Sequence, residues 1–135
     1  MTADATLPLQ AAIIAALKGD AAVAAIVSGR IYDRPPPEAV KPYVSFGVVQ
    51  ALPETADEYD GAEITVQLDV WSAKPTTVEA KRIGAAIRAA LHGADLAITG
   101  HRLVSIEIEQ ARYITEPDGL TQHAVLIFTA RTEPV

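Results

Sequence analysis

Hydrophobic positions recur along this chain at two spacings, and the two divide it into strands and helices. Residues 63–70 alternate strictly, with Ile64, Val66, Leu68 and Val70 set against Glu63, Thr65, Gln67 and Asp69. Period two is the signature of a strand with one face buried and the other polar. Trp71 follows at the strand's end, where a large ring is expected to seal a core edge. Residues 103–109 repeat the alternation, Val104, Ile106 and Ile108 against Ser105, Glu107 and Glu109, and continue less regularly to Thr115. Residues 121–131 return through the nearly unbroken apolar run Ala124, Val125, Leu126, Ile127 and Phe128, which predicts a central strand. Residues 43–49, entered directly after Pro42, predict the first strand.

Helical spacing appears in three places. Over residues 7–18, Leu9, Ile13, Ala16 and Leu17 share a face, with Thr6 as the expected N-cap and Pro8 tolerated in the first turn. Asp20 can cap a second short helix with the face Val23, Ile26 and Val27, stopped by Gly29, so that two helices meet at a corner. Residues 78–91 carry the stripe Ala80, Ile83, Gly84, Ile87, Ala90 and Leu91, with Glu79, Lys81, Arg82 and Arg88 facing outward. The small residues in that stripe let the helix lie close to a sheet. His92 and Gly93 end it.

Between these elements lie turn signals. Pro35, Pro36 and Pro37 can continue neither a helix nor a central strand and predict an extended surface crossing. Residues 52–61, with Pro53, Glu54, Asp57, Glu58, Asp60 and Gly61, are expected to form a turn or loop. Residues 72–77 form a second turn, in which Thr76 or Thr77 can cap the following helix. Glu116, Pro117, Asp118 and Gly119 mark a hairpin turn. The order α-α-β-β-α-β-β describes a single α+β domain over residues 1–135. It is a small antiparallel sheet with a helix packed on one face.

Composition then removes several functions. The chain has 135 residues, half of them apolar, enough for one domain with a core. No stretch reaches the roughly 20 apolar residues of a membrane span, and nothing basic precedes the first apolar run as in a secretory signal. A soluble, cytoplasmic product is expected. Cysteine is absent, which excludes disulfides, thiolate nucleophiles and Cys-based zinc sites. The net charge of −6, with scattered basic residues, argues against tight DNA binding. His92, His101 and His123 have no metal-ligand spacing, and no nucleophile elbow or phosphate loop is present. Asp57 and Asp60-Gly61 do not match a calcium loop. Glu107 and Glu109 could imitate a glycosidase pair, but an exposed polar strand face accounts for them. No catalytic, cofactor or metal site is predicted.

Three stretches resemble the tail completion or tail terminator proteins of long-tailed phages and of phage-derived gene transfer agents. The first is Gly29-Arg30-Ile31-Tyr32-Asp33, followed after the prolines by Pro42-Tyr43-Val44. The second is Thr65-Val66-Gln67-Leu68-Asp69-Val70-Trp71-Ser72 leading into Glu79-Ala80-Lys81-Arg82-Ile83. The third is Asp118-Gly119 with the closing strand to Ala130. Together they span nearly the whole chain, from about residue 7 to 131. The run Pro35 to Pro37 is longer than the family pattern.

The resemblance implies a hexameric ring of this chain at the head-proximal end of the tail tube, which stops tube polymerisation and gives the head a surface to join. Partners would be the tail tube protein and the head–tail connector or neck proteins. DNA would pass through without specific binding, and no cofactor or catalytic residue would be needed. A ring requires two different patches to meet. Arg30, Asp33 and Arg34 with the proline segment are one candidate, and Glu54, Asp57, Glu58 and Asp60 the other. Charge reversal at Arg30 and Arg34 is expected to weaken assembly without unfolding the protomer. Gln67, Asp69, Glu107 and Glu109, with Ser105, form a polar face that could line a channel. Other readings of the same residues are a neck or stopper protein, a small enzyme or ligand-binding domain, and a regulatory binding module.

Overall fold

The computed structural model describes residues 4–56 and 59–135, which contain three helices and six strands. The helices are α1 (Thr6–Gly19), α2 (Ala21–Val27) and α3 (Val78–Leu91). The strands are β1 (Ile31–Tyr32), β2 (Tyr43–Ala56), β3 (Tyr59–Ser72), β4 (Ala97–Ile98), β5 (His101–Thr115) and β6 (Gln122–Pro134). They form one sheet in the order β1-β2-β3-β6-β5-β4. Every pairing is antiparallel except the short β1·β2 contact. The α+β class and the hairpin–helix–hairpin plan hold. The order α-α-β-β-α-β-β gains β1 and β4, which at two residues each are too short to show a period.

All three helices lie on one side of the sheet. Their buried residues Leu9, Ile13, Leu17, Val23, Val27, Ile83, Ile87 and Leu91 meet Val44, Ile64, Val66, Leu68, Val70, Ile106, Leu126 and Phe128 in a single core. The opposite face of the sheet carries no helix. On the central pair it presents Glu63, Thr65, Gln67, Asp69 and Trp71 of β3 beside Arg131, Thr129, Ile127, Val125 and His123 of β6. The central position expected for residues 121–131 is correct. Gly84 brings α3 down onto β5: a Cβ there would collide with the Tyr113 hydroxyl, with the ring carbons Cε1 and Cζ at 3.3 Å.

Several local expectations are corrected. Thr6 is the first residue of α1 and not its cap. Ala5 holds the cap position, and the Asp4 carboxylate accepts the Thr6 N–H at 2.9 Å, which also holds that carboxyl below its usual value. Asp20 caps α2 as expected, accepting from Val23 N at 3.0 Å, and the two helices bend by 82°. The stop after α2 uses Ser28 as well as Gly29, with φ of 52° and 77°. Thr77 occupies the cap position of α3 without a side-chain cap bond, and Thr76 Oγ1 accepts the Val78 N–H at 3.5 Å.

The largest correction concerns residues 52–61. Residues 52–56 and 59–61 are strand and not loop: β2 and β3 pair continuously from Val49↔Val66 to Ala56↔Tyr59. The helix-side positions here are the small residues Ala51, Pro53 and Ala62, beside Ala5 at the start of α1, so no period-two row of large apolar residues is written there. Pro53 fits because β2 is an edge beyond Ser45, where a missing N–H is tolerated. Bulges explain the irregular end of β5, whose register shifts between Leu103 and Ser105 and again between Ile108 and Gln110. The hairpin turn at residues 116–121 is as expected. Asp118 accepts the Leu120 and Thr121 N–H groups at 2.8 and 2.9 Å, bonds that lower its pKa, and Gly119 takes φ 69°.

Candidate assembly surface

The helix-free face of the sheet holds the polar residues that its own fold does not need for a core. One end of it is built around His123. Its Nδ1 lies 2.6 Å from Glu116 Oε1, its Nε2 lies 2.7 Å from Asp69 Oδ1, and its ring stacks on Trp71 with centroids 3.8 Å apart. The imidazole thus bridges two carboxylates from different strands and turns, one at each ring nitrogen. Gln67 Nε2 also donates to Asp69 Oδ1 at 3.0 Å, and Trp71 Nε1 donates to Ser45 Oγ at 3.1 Å.

Gly47 makes this arrangement possible. A Cβ there would stand 2.7 Å from Asp69 Oδ2 and 2.8 Å from Gln67 Nε2. The bulge between Phe46 and Val49 thus leaves room for both polar side chains. Tyr32, Tyr43, Trp71 and His123 form a row of rings across β1, β2, β3 and β6. Burial, followed by Tyr32, pushes the Tyr43 hydroxyl above its ordinary pKa.

The expectation that Trp71 seals a core edge is corrected, because it faces away from the helices and packs against His123. Asp69, expected on an open polar face, is only 6% exposed. Gln67 is half-buried beside it, while Glu107 and Glu109 are exposed, and Thr129 Oγ1 donates to Glu109. These residues share the helix-free face, and Ser105 lies opposite Arg131 on the same side.

The two charged patches lie at opposite ends of β2. Asp33 and Arg34 are exposed beside the prolines, directly after β1. Arg30 is half-buried and its Nε donates to Pro42 O at 2.8 Å, so it ties this segment to β2. At the far end Arg131 bridges Glu54 and Glu63 at 2.7 and 2.9 Å. Asp60 is half-buried on β3, and Asp57 and Glu58 lie outside the described residues.

The His123 cluster was missed in the sequence because its members are separated by 7 and 54 positions, and only the strand register joins them. It is also no catalytic dyad. Both ring nitrogens are taken up by carboxylates, leaving none to deprotonate a nucleophile. Among the described residues no group of three His, Asp or Glu side chains is placed to hold a metal, and no single helix is long and apolar enough to cross a membrane.

Known proteins share this architecture. The family described as tail completion protein gp17 matches residues 11–133. The tail completion protein gp17 of Bacillus phage SPP1 is 31% identical over 85 residues, a stretch covering 63% of this chain and 63% of that protein. A solved chain from the virion of a native gene transfer agent particle superposes with a TM-score of 0.90 at 30% identity, covering 98% of this chain and 99% of that one. A match from residue 11 to 133, with the same fold throughout, makes this chain a member of the tail completion protein gp17 family, a structural protein of a phage-like tail and not an enzyme.

Proposed function

We propose that six copies of the chain form a ring at the head-proximal end of the tail tube, where they end tube polymerisation and offer the surface that joins the head. The observation that carries this is the TM-score of 0.90 over 98% of the chain to a component of an assembled gene transfer agent virion. The partners are further copies of itself, the tail tube protein and the head–tail connector or neck proteins. The ring belongs to a phage or to a gene transfer agent particle.

Closure of such a ring needs a heterologous contact. The basic and acidic patches suit one because they sit at opposite ends of β2, whose 14 residues span roughly 45 Å. Arg34 at one end is exposed, and the Glu54–Arg131–Glu63 group at the other keeps a net negative charge. Opposite charges placed this way set register and association rate more than affinity. The helix-free face, with Gln67, Glu107 and Glu109 and with Asp69 buried behind them, supplies an acidic lining from which DNA slides without sticking.

The structure sharpens the charge-reversal experiment. Arg30→Glu also removes the bond to Pro42 O, so its effect mixes folding with assembly. Arg34→Glu alone is expected to change the free energy of unfolding of the protomer by no more than about 0.5 kcal/mol and to reduce the yield of joined particles several-fold. Unchanged yield would remove Arg34 from the interface. Cryo-electron microscopy of intact particles tests the position itself. Six copies between the last tube ring and the connector agree with the proposal. Density for the chain against the head portal instead would make it a neck or stopper protein.

A further inference from the structure

The two outer edges of the sheet are each half covered, and the uncovered halves are diagonal to one another. On one side β1 pairs only with Val44 and Ser45, so β2 has no neighbouring strand from residue 48 to 56 among the described residues. On the other side β4 pairs with His101 and Arg102. The turn after α3 covers the next part of that edge. Gly93 N donates to Ile106 O at 2.8 Å, and Ile108 N donates to His92 Nδ1 at 3.1 Å. From residue 110 to 115, β5 again has no strand beside it among the described residues.

Edge strands are ordinarily guarded by charge, because their free backbone groups recruit other chains. Here residues 48–53, Val-Val-Gln-Ala-Leu-Pro, carry none, and Val48 and Leu52 are 70% and 49% exposed. The first charge along this edge is Glu54, and the one charge in residues 110–115 is Arg112, of opposite sign. The directions also agree. β2, β3, β6 and β5 alternate, so β5 runs opposite to β2. A rotation relating head-to-tail copies preserves strand direction, so the β2 edge of one copy meets the β5 edge of the next as an antiparallel pair.

We propose that residues 48–56 of β2 pair with residues 110–115 of β5 of a second copy, extending the sheet from subunit to subunit. This rests on the ring proposed above and adds to it the contact that builds it. The pairing forces a stagger. Arg112 lies in the cross-strand row of Val125, Asp69 and Ser45, whereas Leu52 lies in the row of Glu63, Arg131 and Ser105. Bringing Leu52 beside a neighbour's Arg112 offsets successive copies by the distance from Ser45 to Leu52, roughly 20 Å. A fixed offset between neighbours is what turns an open sheet into a closed barrel. It also keeps the helix-free face on one side of the closed wall.

The absence of cysteine makes the test clean. Gln50, Leu52, Gln110 and Arg112 are exposed and share the helix-free face. Four variants would each carry one cysteine at Gln50 or Leu52 and one at Gln110 or Arg112. Residues directly opposite in an antiparallel pair have Cβ atoms about 5 Å apart, close enough for a disulfide after small adjustment. Oxidised particles of at least one variant are expected to give a ladder of covalent oligomers up to the hexamer on a denaturing gel, and the parent single-cysteine chains none. The same particles are imaged by cryo-electron microscopy. An intact ring with no ladder from any of the four overturns the edge pairing and leaves the ring standing. Dimers from a single cysteine at Gln50 or Leu52 overturn it in favour of a two-fold contact between β2 edges. Particles without a ring of this chain overturn both.

Discussion

Replacing His123 by leucine is expected to lower the free energy of unfolding by about 3 kcal/mol. Asp69 is 6% exposed and shares its Oδ1 between His123 and Gln67. Removing the histidine leaves a covered carboxylate with Gln67 as its remaining side-chain donor. It also strips the stacking partner from Trp71 and releases Glu116 at the base of the β5–β6 turn. Urea unfolding of His123→Leu beside the double variant Asp69→Leu/His123→Leu separates these contributions. The double variant should recover part of the loss, because it removes the stranded carboxylate as well. A single-variant cost under about 1 kcal/mol would mean that water reaches Asp69 freely.

The second large effect lies on the other side of the same strand. Phe128 is 1% exposed, stands beside Val66 of β3 and Ile108 of β5, and faces the helices. Phe128→Ala should cost about 4 kcal/mol through lost burial and the cavity left behind. Domains of this kind have about 5–15 kcal/mol to lose, so the melting temperature should fall by roughly 10–20 °C. Ile127 is its neighbour in sequence but sits half-buried on the helix-free face. Ile127→Ala in the isolated protomer should cost less than half as much. Equal costs for the two, measured by thermal unfolding, would contradict the assignment of faces.

These two residues also show what the sequence made legible. Strict alternation in residues 63–70 and the stripe of residues 78–91 are imposed by one buried face, and both elements appear where the pattern predicts them. Where burial does not dictate side chains, the pattern falls silent. In the far part of the β2–β3 ribbon the helix-side positions are the small residues Ala51, Pro53 and Ala62, beside Ala5, and Pro53, Glu54 and Asp60 imitate a loop although the backbone is a ladder. β1 and β4 are two residues long and have no period to detect. In β5 the bulges break the alternation after Ile108. The alternation shows the polar face of Gln67, Asp69, Glu107 and Glu109 but not its organising contact, His123 between Asp69 and Glu116, which depends on register and not on spacing. Arg30 and Glu54 are candidate contacts by their charge and by lying in segments outside the predicted core. Both are engaged within the protomer, Arg30 with Pro42 and Glu54 with Arg131.

The central claim is that this chain stops the tail at its proper length and joins it to the head. Electron microscopy of particles from cells lacking the gene tests it most directly. The account predicts overlong, uneven tails lying beside separate filled heads. Complete particles with tails of normal length and heads attached would contradict it.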